Sequence, residues 1–324
     1  MRRLKVLYLP EESADLFWTR DLTEQLGERH DVSILDFDKP LAPQFRGVEV
    51  VLDTGGSVGT REMMDAATDT RLWQVIGTGL DHVDVEYMKS KGFAVTYCPG
   101  ALSGIALAEC AMMFMGMLVR RYSLSQQSFR DGKLCVPIVG ELAGNTLLII
   151  GFGGSGQPLA KRARAFDMRV WVIDAHPVEQ AVIDEIKPDF LGTPDDLDRL
   201  LPECDFLSLH LPLNEKTRYL IDVRRIGLMK KTACLVNVAR GALVDEQALH
   251  AALLEGRLGG AGIDVFSNEP DDPNREVYKL PNVIVSPHIA GETYGTAHRR
   301  NGAVVENIDR LAEGRELLYR IDEC

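Results

Sequence analysis

Short apolar runs rich in β-branched residues alternate with longer stretches of mixed polarity along most of the chain. In the first hundred residues the runs at 5–9, 32–35, 49–52, 72–76 and 94–97 predict strands, and 14–26 and 61–68 predict helices. Strand and helix in alternation imply a parallel sheet with helices on both faces. A long helix is expected over about 103–120, followed by a polar, irregular stretch around Arg130-Asp131-Gly132. A second alternating block opens at Asn145. Its expected strands are 146–150, 169–174, 205–210, 233–238, 262–265 and 282–286, with helices at 159–166, 245–255 and about 293–311. No repeat, low-complexity tract or long Gly/Ser linker separates the blocks, which places their boundary in the long helix after Pro99-Gly100.

The length of 324 residues suits two domains, and a composition 45% hydrophobic and 26% charged is that of an ordinary globular protein. Disorder and disulfide scaffolds are excluded. With 36 basic against 48 acidic residues the net charge is -12, which repels phosphate backbones and argues against nucleic acid as a partner. An anionic substrate therefore needs a local cation. The six cysteines form no CxxC pair, so no metal site or redox dithiol is expected, and their scatter fits a reducing compartment. The basic start, Met1-Arg2-Arg3-Leu4-Lys5, is followed by an apolar run that stops at Pro10, too short for a signal peptide. The apolar stretch 105–119 contains Glu109 and is too short to span a bilayer, so it reads as a buried helix. A cytoplasmic protein without membrane partners is expected.

The pattern G-x-G-x-x-G occurs as Gly151, Gly153 and Gly156, with Ser155 inside it. It follows an apolar strand, opens a helix, and has Asp174 at the end of the next strand, 23 residues after Gly151. In such a loop the first glycine makes the tight turn. The second lets the backbone approach a pyrophosphate, and the third packs helix on strand. The helix N-terminus then offers free N–H groups to the anion. Asp174 would bind the adenosine ribose hydroxyls and repel a 2′-phosphate, which favours NAD over NADP. Pro158 must sit in the first turn of this helix, where its missing N–H costs little.

Three further segments each place a charged or titratable residue just after an apolar strand. They are Asn237-Val238-Ala239-Arg240-Gly241, Asp264-Val265-Phe266-Ser267-Asn268-Glu269-Pro270 and Pro287-His288-Ile289-Ala290-Gly291. Ligands of open α/β sheets bind at the carboxyl ends of strands, so Arg240, Glu269 and His288 are placed to converge on a nicotinamide. Alone, each has a plainer reading: a surface cation, a turn, a polar surface residue. Together with Gly140-Glu141-Leu142 and the glycine loop, these motifs in this order make the chain resemble the NAD-dependent D-isomer-specific 2-hydroxyacid dehydrogenases. The resemblance runs from about residue 77 to 307 and is best over 140–291.

That resemblance implies two doubly wound parallel-sheet domains, a Rossmann cofactor domain (104–290) inserted into a flavodoxin-like substrate domain (1–103 plus 291–324). It makes Arg240 the ligand of the substrate carboxylate, His288 the general acid/base and Glu269 its partner. Asp264 would bind the nicotinamide carboxamide. His210, Leu211, Pro212, Thr217, Val238, Ala239 and Gly291 would line the NAD site with the glycine loop. Gly55, Gly56, Thr78 and Gly79 lie in loops that match substrate-carboxylate loops, although glycine-rich loops are also ordinary tight turns. The segment 98–109 departs from the family pattern, with Leu102 and Ser103 where members often carry Asn. The run Met112, Met113, Met115, Met117 reads as helix core or dimer packing.

Residue chemistry supports these roles independently. Reducing a 2-keto acid needs a hydride at C2 and a proton at the carbonyl oxygen. A histidine of pKa about 6.5 can supply the proton, and a neighbouring carboxylate raises that pKa. A guanidinium grips a carboxylate through two parallel hydrogen bonds. The expected protein is an oxidoreductase acting between NAD(H) and a small anionic 2-hydroxy or 2-keto acid, and its expected assembly is a homodimer. Substrate would bind in a cleft whose closure excludes water. Two rivals remain at this point: an NAD(H)-sensing protein like the corepressors that resemble this family, and a dehydrogenase of another small anion such as formate or phosphite.

Overall fold

Four-residue runs such as VVLD and LWQV are buried along their whole length, as parallel strands covered on both faces must be. The computed structural model describes residues 2–10, 16–54 and 59–322. Its first part holds β1 (Lys5–Leu9), α1 (Leu16–Leu26), β2 (Asp31–Ile34), α2 (Leu41–Phe45), β3 (Val50–Asp53), α3 (Arg61–Ala66), β4 (Leu72–Val75), α4 (Val85–Ser90) and β5 (Ala94–Thr96). Next come α5 (Gly104–Val119), α6 (Tyr122–Arg130), β6 (Thr146–Ile150), α7 (Gly156–Ala165), β7 (Arg169–Ile173), α8 (Gln180–Ile186) and β8 (Phe190–Gly192). The remainder is α9 (Leu197–Leu200), β9 (Phe206–Leu209), α10 (Val223–Leu228), β10 (Cys234–Asn237), α11 (Glu246–Leu254), β11 (Gly260–Ile263), β12 (Val283–Val285) and α12 (Tyr294–Glu313).

The chain divides into two compact units, one of Met1–Ser103 with Thr293–Cys324 and one of Gly104–Glu292. The first carries a five-stranded parallel sheet of order β2-β1-β3-β4-β5, the flavodoxin-like winding. The second carries a seven-stranded parallel sheet of order β12-β11-β10-β9-β6-β7-β8, the Rossmann winding. Its strand order reverses between β6 and β9, which pair directly. That reversal opens a crevice at the carboxyl ends of these two strands.

Helix α12 belongs to the first unit because its apolar face fits there. Val304, Val305 and Ile308 share a core with Leu22 and Leu26 of α1 and Val50 and Leu52 of β3. Thr293 caps its start by accepting from Thr296 N at 3.1 Å. The buried Asn307 amide donates to Gln74 Oε1 at 2.9 Å, so this polar group is satisfied inside the core. In the second unit α5 buries Ala108, Ala111, Phe114 and Met115 against the sheet. No helix among the described residues is long and apolar enough to cross a membrane.

Several elements differ from the sequence expectation. The polar stretch before Gly132 contains α6, which buries none of its residues and so shows no apolar stripe. β11 begins at Gly260, two residues before its expected start, because glycines that resemble a turn are buried strand positions there. β8 and the short helices α2, α4, α8, α9 and α10 are additional. β8 is three half-buried residues ending in glycine, and α4 is a short helix capped by Asp84, which accepts from Tyr87 N at 3.1 Å.

Candidate active site

The crevice beside β6 is made of backbone. Gly151 leaves the strand at φ +93, and a Cβ there would stand 2.3 Å from the His210 carbonyl oxygen. A Cβ on Gly156 would stand 2.1 Å from the Gly151 carbonyl oxygen, so α7 starts hard against the turn. Above Gly153 a Cβ would meet no atom within 4 Å, which leaves its backbone open to a ligand. Helix α7 begins at this space; in its first turn Gln157 N donates to Gly153 O at 3.2 Å and Pro158 has no N–H, which leaves Gly156 N as the helix's own donor there. Pro158 is the third residue of that helix, inside its first turn.

Asp174 follows β7 and ties the glycine loop down. Its carboxylate accepts from Phe152 N at 2.6 Å and from His176 N at 2.8 Å, one donor on each oxygen. Each oxygen keeps a second acceptor position for a hydroxyl. His210 follows β9, and its buried ring is held by Ser208 Oγ at 2.8 Å and Ser155 Oγ at 3.0 Å. Burial pushes its pKa down to about 3, so the imidazole is neutral. The His210 ring thus braces the glycine loop through Ser155. Thr217 closes the next loop by donating to Pro212 O at 2.8 Å, and Leu211 packs against the core beneath it. The Val238 side chain lies in the core, Ala239 is partly buried beside it, and Gly291 stands near Leu107.

The carboxyl ends of β10, β11 and β12 carry side-chain chemistry. His288 Nδ1 and Glu269 Oε2 are 2.7 Å apart, with side chains 47% and 37% exposed, so a reactant can reach the pair. An ionised carboxylate only accepts, so Nδ1 carries the proton and Nε2 is left for proton transfer. The Glu269 bond pushes the His288 pKa up, while partial burial and the Arg240 charge pull it back. For Glu269, partial burial pushes upward, but the His288 bond and the Phe266 N–H at 2.9 Å outweigh it, and the net direction is down. Arg240 favours the ionised Glu269, so all three groups share one electrostatic environment.

His288 sits at φ +56, a left-handed conformation that costs a non-glycine residue about 1–3 kcal/mol. Asp264 holds it there. The His288 N–H donates to Asp264 O at 2.8 Å. The Asp264 carboxylate, fully buried, accepts from Ser286 Oγ at 2.5 Å, Ile289 N at 2.9 Å and Ala290 N at 2.9 Å. Asp264 was expected at a nicotinamide carboxamide; inside the chain it anchors the 286–290 loop, a task its spacing did not advertise.

Other residues absent from the sequence expectation hold Arg240 and Glu269. Asn237 Nδ2 donates to Arg240 O at 2.8 Å and Asn237 Oδ1 accepts from Ala239 N at 3.1 Å, closing the turn that carries Arg240. A Cβ on Gly241 would stand 2.0 Å from the Phe266 carbonyl carbon, so the Arg240 and Glu269 loops touch through backbone. Asn237 lies inside a quoted motif, and its Asn-x-x-Arg spacing was the available signal. Of the substrate loops, Gly55 and Gly56 lie outside the described residues. Thr78 and Gly79 are half-buried in the first unit, and Thr78 Oγ1 donates to Cys98 O at 2.9 Å and accepts from Arg300 Nη2 at 3.2 Å.

A Rossmann unit with an open glycine loop, an acid at the end of the next strand and a histidine–carboxylate pair defines a dinucleotide-dependent dehydrogenase. Residues 112–290 match the model of the NAD-binding domain of D-isomer specific 2-hydroxyacid dehydrogenases, and the chain belongs to that family. It is an NAD-dependent oxidoreductase of 2-hydroxy acids. The chain is 36% identical to a hydroxypyruvate reductase of Thermotoga maritima over 82% of its own length and 84% of the relative's. It is 34% identical to a glyoxylate reductase of Korarchaeum cryptofilum, covering 92% and 93%. A solved Thermus thermophilus structure superposes with a TM-score of 0.82 at 33% identity, covering 98% of this chain and all of the other.

Proposed function

We propose that the chain interconverts a short 2-keto acid and its 2-hydroxy acid, with glyoxylate and hydroxypyruvate as its first candidates. The reading is carried by the 2.7 Å His288–Glu269 pair with Arg240 in the same electrostatic environment. The names of the relatives support the substrate class. Gly151, Gly153, Gly156 and Asp174 would hold NAD(H), which would supply the hydride. Arg240 grips the substrate carboxylate with its guanidinium fork and steadies charge developing on the carbonyl oxygen. Protonated His288 gives its Nε2 proton to that oxygen during reduction, and neutral His288 takes the hydroxyl proton during oxidation. Glu269 keeps the ring oriented and favours its charged form. The acid at Asp174 makes NADH the better cofactor than NADPH.

In the same reading the second unit is the cofactor domain, and the first, with its Thr78-Gly79 loop, contributes to substrate binding. A second copy of the chain covers α6 and the segment after it. That helix buries nothing within the chain, and Phe129, Leu134 and Ile138 are 81%, 86% and 86% exposed. Free cysteines fit a cytoplasmic setting. NADH oxidation measured against glyoxylate, hydroxypyruvate and pyruvate tests the activity; no turnover with any of them overturns the substrate class. Light scattering tests the assembly: the wild type should be a dimer and Phe129→Asp should weaken it, whereas a monomeric wild type overturns it.

A further inference from the structure

Glu246 opens α11 and stands outside the three motifs that carry Arg240, Glu269 and His288. Its carboxylate is 17% exposed, and both of its oxygens are used on the segment that carries Glu269. Oε2 accepts from Ser267 N at 2.8 Å, two residues before Glu269. Oε1 takes Arg275 Nη1 at 3.0 Å, and Arg275 Nη2 reaches Asp271 Oδ1 at 2.7 Å, two residues after Glu269. Asp271 also accepts from the Tyr278 hydroxyl. The shoulders on either side of Glu269 are therefore clamped to one rigid helix, through Glu246 directly and through Arg275.

The surroundings make this clamp stiff. Asp245 fixes the start of α11 by accepting from Ala248 N at 3.1 Å. His250, one turn along the same helix, stacks edge-on against Tyr278 with ring centroids 5.5 Å apart. Burial lowers its pKa, so it stays neutral and leaves Glu246, Arg275 and Asp271 as the charges of the cluster. A cavity of about 10 Å³ lined by Asn237, Gly241, Glu246, His250 and Phe266 leaves room for about one water, so the Arg240 and Glu269 loops pack with little slack.

We propose that Glu246, acting through Ser267 and Arg275, is a positioning residue that holds the Glu269 carboxylate on His288. The inference rests on the acid/base reading of that pair. Glu269 has to stay within hydrogen-bond reach of Nδ1 to orient the ring. A loop free to move by about 1 Å loses that geometry, and such misplacement costs up to about 100-fold in rate. The groups facing His288 are Glu269, Arg240 and Asp264, and only the Glu269 contact runs through the clamp.

The test is the NMR titration of His288 in the full-length protein, with kcat and KM measured on the same samples. Variants are Glu246→Ala, Glu246→Gln and Arg275→Gln. The expected wild-type His288 titrates above about 6.5, the ordinary histidine value. Glu246→Ala should move it down toward that value and lower kcat about 10- to 100-fold, with KM for NADH and keto acid little changed. Glu246→Gln keeps an acceptor for Ser267 N and should recover part of both. If Glu246→Ala fails to fold, Glu246→Gln and Arg275→Gln must each lower the His288 pKa by a smaller step. A lowered melting temperature with the His288 titration and kcat unmoved overturns the inference. A wild-type His288 that does not titrate above the ordinary value instead overturns the Glu269–His288 pairing itself.

Discussion

The two halves of the seven-stranded sheet build their sites from different material. Beside β6 and β7 the surface proposed for the cofactor is main chain: the turn at Gly151, the open backbone at Gly153 and the start of α7. Side chains there mostly brace it, Asp174 through Phe152 N and His210 through Ser155. Beside β10, β11 and β12 the order is reversed. In the proposed mechanism Arg240, Glu269 and His288 face the substrate, and other groups brace them: Asn237 for Arg240, Asp264 for His288. A surface of main chain needs only that nothing intrude, so glycine spacing specifies it. A surface of side chains needs each rotamer held, so its specification is spread over residues far apart in sequence.

Substitutions should separate the two halves. The largest effect belongs to His288→Ala, which removes the proposed proton donor and should lower kcat by about 10²–10⁴-fold, the usual worth of general acid–base help. NADH affinity, measured by fluorescence titration, should hardly change; a loss confined to NADH binding would blur the division. Arg240→Lys comes next. It keeps the charge but loses the fork, and a charge-assisted bond of about 1.5–3 kcal/mol implies at least about a tenfold fall in kcat/KM for the keto acid. Unaltered turnover of every active substrate would remove Arg240 from the site. Asp174→Ala is the smallest and belongs to the other half. Losing one hydrogen bond of about 1 kcal/mol should narrow the NADH-over-NADPH ratio about fivefold and leave kcat unchanged. An unchanged ratio would mean that another group reads the ribose.

The same contrast sets how much could be read from the chain. Alternating strand and helix patterns were enough for the two parallel-sheet folds, because buried parallel strands are apolar along their whole length. The glycine loop was legible because Gly151 and Gly156 stand where a Cβ would collide with backbone. Helix α6 was missed because none of its residues is buried in a core of the chain. The supports of the acid/base pair were missed for a related reason. Glu246 and Arg275 are ordinary charged residues in sequence, and their purpose exists only once α11 lies beside the Glu269 loop. Asp264 carried a family expectation, while its bonds to Ser286, Ile289 and Ala290 depend on β11 lying next to β12.

The central claim is that His288 is the acid/base group and that Glu269 raises its pKa. The most direct measurement is the pH dependence of kcat/KM in both directions for wild type and Glu269→Gln. Protonated His288 serves reduction, so reduction should fall as pH rises through the raised His288 pKa, while oxidation rises through it. Glu269→Gln removes the charge that favours the imidazolium, so both limbs should move to lower pH. Limbs that stay where they are in the wild type would contradict the account.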